Sequence, residues 1–144
     1  MTMKKTTTLL LATLLGLPAC QHESFDERCG REAREYTEKQ CPRRMDDYTM
    51  MDSLTFDRAS RTLTYYYTME GMLDTDSMAT PEFGEALETT LRKHIVNSVD
   101  LRSYKKEGLN FCYQYNSKST GKVRYKVLFT PEDYGNGRNA AGKE

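Results

Sequence analysis

The sequence predicts an α+β domain: a four-stranded antiparallel sheet made from two hairpins, with two helices, in the order helix–hairpin–helix–hairpin. Three observations carry that prediction. Four runs alternate apolar and polar residues with period 2, and they fall in pairs about short polar turns. Two other stretches repeat apolar residues at helical spacing. At 144 residues and 38% hydrophobic content, the chain has enough apolar mass for one core and too little length for two ordinary domains.

The first helix is expected over residues 26–40, a stretch rich in Glu, Arg, Ala and Lys, with Phe25, Cys29, Ala33 and Tyr36 at helical spacing. Cys41-Pro42 stops it, because proline disfavours helix at the residue before it. Residues 48–57 then alternate: Tyr48, Met50, Leu54 and Phe56 share the face expected to be buried, and Thr49, Met51, Ser53 and Thr55 the other. Asp57-Arg58-Ala59-Ser60 turns the chain, and residues 61–69 alternate again, with Leu63, Tyr65, Tyr67 and Met69 inward and Thr62, Thr64, Tyr66 and Thr68 outward.

Residues 71–79 read as a loop. Thr80-Pro81-Glu82 then has the chemistry of a helix start: a hydroxyl cap, proline at the first helical position and an acid in the first turn. Phe83, Leu87, Leu91, Ile95 and Val99, with Ala86 and Val96 beside them, form the apolar stripe. The helix is expected to end between Asn97 and Ser103, with Lys105, Lys106 and Gly108 at the exit. In the second hairpin Leu109, Phe111, Tyr113 and Tyr115 alternate with Asn110, Cys112, Gln114 and Asn116. After a turn at residues 117–121, Val123, Tyr125, Val127 and Phe129 alternate with Arg124, Lys126 and Leu128. Pro131 closes the strand, and residues 135–144, rich in Gly and Asn, are expected to be a flexible tail. Such a sheet buries one face under helices and leaves the other wet.

The N-terminus carries an address. Lys4 and Lys5 precede an apolar run at residues 9–17, far shorter than the roughly 20 residues of a spanning helix, and the pattern is that of a secretory signal. Leu17-Pro18-Ala19-Cys20 resembles the lipobox of bacterial lipoproteins, with Pro18 standing where Ala, Ser or Thr is usual. That resemblance implies a diacylglycerol on the Cys20 thiol, cleavage just before it and acylation of the new N-terminus. It divides the chain into a signal peptide (1–19), a tether (20–25), one α+β domain (26–134) and the tail. Each buried methylene contributes about 0.8 kcal/mol, so two or three acyl chains make a durable anchor. Gln21, where aspartate would retain the protein at the inner membrane, points to the outer membrane, on its periplasmic or surface side. As a whole the chain is similar in style to the small lipoproteins of unknown function common in Bacteroidota, a likeness that implies an envelope location and no particular activity.

The remaining chemistry is sparse. The 21 basic and 21 acidic residues balance, and without Lys4 and Lys5 the mature chain carries net −2, so the basic footprint of a nucleic-acid binder is missing. In an oxidising compartment Cys29, Cys41 and Cys112 would form one disulfide and leave one thiol. A continuous helix puts Cys29 and Cys41 about 18 Å apart at about 1.5 Å per residue, against the roughly 7 Å a bridge spans. Cys112 is therefore the expected partner of Cys41 or Cys29. Asp52 falls in register with the apolar face of residues 48–57, where a bare carboxylate is costly; a β-bulge at Asp52-Ser53 would turn it outward.

Tyr65, Tyr67, Tyr113 and Tyr125, with Tyr115 near the rim, crowd the inner face and are expected to pack there. Tyr66 projects from the polar face with Asn110, Gln114 and Arg124, the expected contact patch. His22 and His94 lie apart from any nucleophile, and no HExxH, phosphate loop or GxSxG is present. No cofactor or metal site is expected. The expected function is a membrane-anchored, non-catalytic module that binds a protein partner. Its alternatives are an inhibitor or immunity-type protein capping a toxin or enzyme with its sheet, and an envelope hydrolase using Asp52.

Overall fold

The computed structural model describes residues 22–135. Signal, lipobox and Cys20 lie outside the described residues, as do positions 136–144 of the tail. Helix α1 (Phe25–Gln40) opens on a capping box: the Ser24 hydroxyl accepts from the Glu27 N–H, and the Glu27 carboxylate accepts from the Ser24 N–H. Strands β1 (Arg43–Asp46), β2 (Thr49–Asp57) and β3 (Thr62–Met69) follow. Two short 3₁₀ turns (Gly71–Asp74 and Asp76–Met78) lead into α2 (Pro81–Asn97), where the Thr80 hydroxyl accepts from the Phe83 N–H. Helix α3 (Arg102–Lys106), strands β4 (Asn110–Ser117) and β5 (Val123–Phe129), and the single turn α4 (Pro131–Tyr134) complete the described chain.

The α+β class holds, but the sheet is not the four-stranded antiparallel one expected. It has five strands in the order β1-β2-β3-β4-β5, and β3 pairs with β4 in parallel, from Thr62 opposite Asn110 to Met69 opposite Ser117. The parallel join follows from α2, which returns the chain to the end of the sheet where β3 began, so that β4 sets out in the same direction. Strand β1 escaped the sequence reading because all four of its residues are exposed and leave no alternation. The short helix α3 stands where an exit was expected at Lys105, and β5 ends before Pro131 as expected, with Pro131 opening α4.

The helices lie on one side of the sheet. Ile95, Leu109 and Phe111 are fully buried there, and Phe129, Cys29, Ala33, Leu63 and Met69 nearly so. Burying one such large apolar side chain contributes about 1.5–3 kcal/mol. Val99, expected on the buried stripe of α2, lies past its end and is exposed, as is Val96. On β2 the faces also differ from expectation. Met51 is buried opposite Tyr67, whereas Met50 pairs with Thr68 on the open side. The register slips between Met51 and Ser53, so beyond the slip Leu54 and Phe56 point inward again. Asp52 is the extra residue of that bulge.

Candidate functional site

The inner face of the sheet carries a stack of four tyrosine rings drawn alternately from β3 and β4. Tyr65 and Tyr113 lie 4.9 Å apart at 7°, Tyr113 and Tyr67 6.5 Å apart at 6°, and Tyr67 and Tyr115 4.8 Å apart at 14°. The parallel register makes this possible, because it sets Tyr65 beside Tyr113 and Tyr67 beside Tyr115. Burial, reinforced by the neighbouring phenols, pushes the Tyr67 and Tyr113 hydroxyls well above the ordinary tyrosine value; burial likewise takes Tyr65 and Tyr115 up to about 12. All four are neutral at any physiological pH.

The helices do not close over this row. A cavity of about 490 Å³ opens above Tyr65 and Tyr67, between Tyr36 of α1 on one side and His94 of α2 with Leu101 and Tyr104 on the other. A second, of about 290 Å³, continues over Tyr67 and Tyr115 towards Phe83 and Leu87 of α2. Tyr67 and Met45 line both, so the two form one groove along β3. Met45, half-exposed on β1, is its outer rim. At the other end Tyr104 donates to the Glu32 carboxylate at 2.8 Å, tying α3 to α1.

The sequence placed the tyrosines on the inner face but did not show the groove. Its missed residues are Met45 and Arg43 on the unread β1, and Tyr104 on the unread α3 with Leu101 just before it. An apolar pair three residues apart, Leu101 and Tyr104, was the available signal.

The expected contact patch is divided. Tyr66 and Gln114 are cross-strand neighbours on the helix-free face, and the Asn110 side chain donates to the Ser60 carbonyl at 2.9 Å. Arg124 turns away to Asp76 at 3.0 Å and Asp74 at 3.6 Å, fastening the 3₁₀ turns to the β4–β5 hairpin. Asp52 is on the open face too, accepting from the Thr68 hydroxyl at 2.7 Å. It shares a shallow dent with Glu70, to which both Arg44 and Lys118 are paired. His94, Ser98 and Asp100 all line the larger cavity, yet among the described residues no hydrogen bond joins their side chains.

The cysteines are not brought together: Cys29, Cys41 and Cys112 are free thiols. Alternation on β4 puts Cys112 on the side opposite Phe111 and Tyr113, while Cys29 and Cys41 pack with the inner core. Burial pushes the Cys29 thiol up to about 11, so it is a poor nucleophile. Among the described residues no three His, Cys, Asp or Glu side chains cluster to hold a metal, and no helix is long and apolar enough to cross a membrane.

Residues 24–125 match the family described as Domain of unknown function (DUF8479). The chain belongs to that family. The matched span runs from the α1 cap to Tyr125 and includes every wall of the groove. No curated protein matches the chain. Three solved structures share the fold. A secreted protein from Pseudomonas aeruginosa is 11% identical with a TM-score of 0.61, covering 76% of this chain and 95% of its own. The type 2 secretion system pilotin EpsS from Vibrio vulnificus is 12% identical, with a TM-score of 0.56 and coverage of 76% and 90%. The type II secretion system pilotin AspS from Vibrio cholerae is 17% identical, with a TM-score of 0.53 and coverage of 75% and 90%.

Proposed function

We propose that this member of the DUF8479 family is a lipid-anchored, non-catalytic envelope protein that holds a segment of a partner protein in the groove above the tyrosine stack. The groove carries the reading: a tyrosine-floored channel walled mainly by apolar side chains and left open between two helices is expensive to keep wet unless something docks there. The lipobox at Leu17-Pro18-Ala19-Cys20 supports an anchor on Cys20 in the outer membrane, with residues 1–19 removed and residues 20–25 as a tether. The shared fold with two secretion-system pilotins favours a partner within an envelope assembly. The hydrolase alternative is weakened by Asp52, whose hydrogen-bond partner is a hydroxyl and not a second acid or base.

A photocrosslinking residue placed at Met45 or Leu87, and separately at Tyr66, tests this in intact envelopes. A partner captured from the groove positions and not from Tyr66 is the expected result, with the C20S variant released from the membrane fraction. Capture from Tyr66 alone would favour the inhibitor-type reading through the open face. No capture, with C20S still membrane-bound, would overturn the proposal.

A further inference from the structure

The two edges of the sheet are finished differently. On one, β1 is four residues long with a break in register between Arg44 and Asp46, and beyond it the Thr37 hydroxyl occupies the Leu54 N–H and C=O. The other edge is β5, seven residues long and last in the strand order. Which of its backbone groups are free follows from the register. The N–H groups of Asn110 and Lys118 donate to the Arg61 and Met69 carbonyls at 2.9 and 3.0 Å. Alternate residues from Asn110 onward therefore face β3, and Phe111, Tyr113 and Tyr115 face β5. Opposite them, Phe129, Val127 and Tyr125 turn their backbone groups inward to β4. The N–H and C=O groups of Lys126 and Leu128 point away from the sheet, and among the described residues nothing bonds to them.

The side chains along this edge share a sign. From Ser117 to Pro131 the chain has four basic residues and no acidic one, within a sequence whose charges balance. Lys118 is paired with Glu70, and Arg124 with Asp74 and Asp76. Lys122 and Lys126 are exposed and have no ion-pair partner among the described residues. Val123 and Leu128, near the two ends of the strand, are about half exposed. Lysine on a free edge keeps off strands that bring no compensating charge, and a second copy of this chain would bring the same lysines. Against an acidic strand the same charge attracts, and the edge hydrogen bonds add to it. We infer that the β5 edge is a second docking site, where an extended acidic segment of a partner protein continues the sheet. Its main chain bonds to the outward N–H and C=O groups of Lys126 and Leu128, and its carboxylates face Lys122 and Lys126. No β5 residue lines the groove, so this site and the groove reading stand or fall separately.

Two synthetic peptides, one alternating Glu with Val and one alternating Lys with Val, test this on the full chain in non-ionic detergent. Two variants separate backbone from charge. L128P removes an outward donor that the sheet does not use, a change that edge strands tolerate. K126E reverses one charge and leaves the backbone alone. The Glu peptide is expected to bind about tenfold or more tighter than the Lys peptide, to weaken as salt is added, and to be lost on L128P. K126E should remove most of the preference. The proposal is overturned by equal binding of the two peptides, by a preference that K126E leaves unchanged, or by no binding of either. An affinity that survives L128P, with the near-ultraviolet circular dichroism intact, overturns it too. So does a dimer of the chain that L128P dissolves, because the edge then belongs to a second copy.

Discussion

The Thr37 hydroxyl on α1 lies 2.8 Å from both the N–H and the C=O of Leu54 on β2, accepting from the first and donating to the second. Strand β1 pairs only with Thr49 to Met51, so the outer edge of β2 beyond the bulge has no strand beside it. One side chain thus does for this stretch of edge what a sixth strand would do, and it fixes where α1 sits, hence one wall of the groove. Thr37→Val keeps the shape and removes both bonds. It should lower unfolding stability by about 1–3 kcal/mol, read from urea melts. An unchanged midpoint would mean that water replaces the hydroxyl freely.

Gly71 has φ +58°, and a Cβ added to it would come within 3.1 Å of the Tyr48 ring. Gly121 has φ +69° but nothing within 4 Å of such an atom. Both alanine variants pay for the left-handed backbone, about 1 kcal/mol. Gly71→Ala should cost more than Gly121→Ala, because the ring at the β1–β2 turn must also move. Equal losses in thermal melts would show that Tyr48 yields without penalty.

Acid should loosen the β4–β5 hairpin from the 3₁₀ turns. The Ser117 hydroxyl and then the Ser119 N–H hold Asp74 down at about 2, against an ordinary 3.8. The folded state therefore prefers the carboxylate. Its contribution is complete above the ordinary value and is lost as pH falls from about 4 through about 2. Asp74→Asn should flatten the urea midpoint across that window while lowering it at neutral pH. A variant that loses stability in parallel with the original chain would place the acid sensitivity elsewhere.

Alkali acts with the opposite sign. Tyr65 and Tyr115 are raised by burial to about 12 from an ordinary 10, so the folded chain holds those protons more tightly than the unfolded one. Stability is complete below pH 10 and falls as pH rises through 12. Tyrosinate absorbance from the stack should appear together with loss of the near-ultraviolet circular dichroism. Ionisation of all tyrosines at the ordinary value in a still-folded chain would contradict the buried stack.

Much of this architecture is legible locally. The period of 2 in Leu63, Tyr65, Tyr67 and Met69 names the inner face of β3, and Thr80-Pro81-Glu82 names the first turn of α2. The bulge at Asp52 is legible too, because a carboxylate in an apolar register must be turned out. What escapes is either too short or too distant. Arg43 to Asp46 have no buried side to leave a pattern. Arg124, which reads as a member of the open face, is drawn off by Asp74 and Asp76, nearly fifty positions earlier in the chain.

The amino-acid sequence by itself determined the paired strands, the two long helices and the inward tyrosines, and it carries the lipobox-like Leu17-Pro18-Ala19-Cys20. Those features follow from sterics and burial acting over a few neighbouring residues. Only the tertiary structure decided that β3 and β4 run in parallel, that their tyrosines interleave into one stack, and that α1 and α2 stand apart above it. Strand pairing and helix coverage are settled between segments some forty residues apart, by a free-energy balance over the whole layer that no local period records.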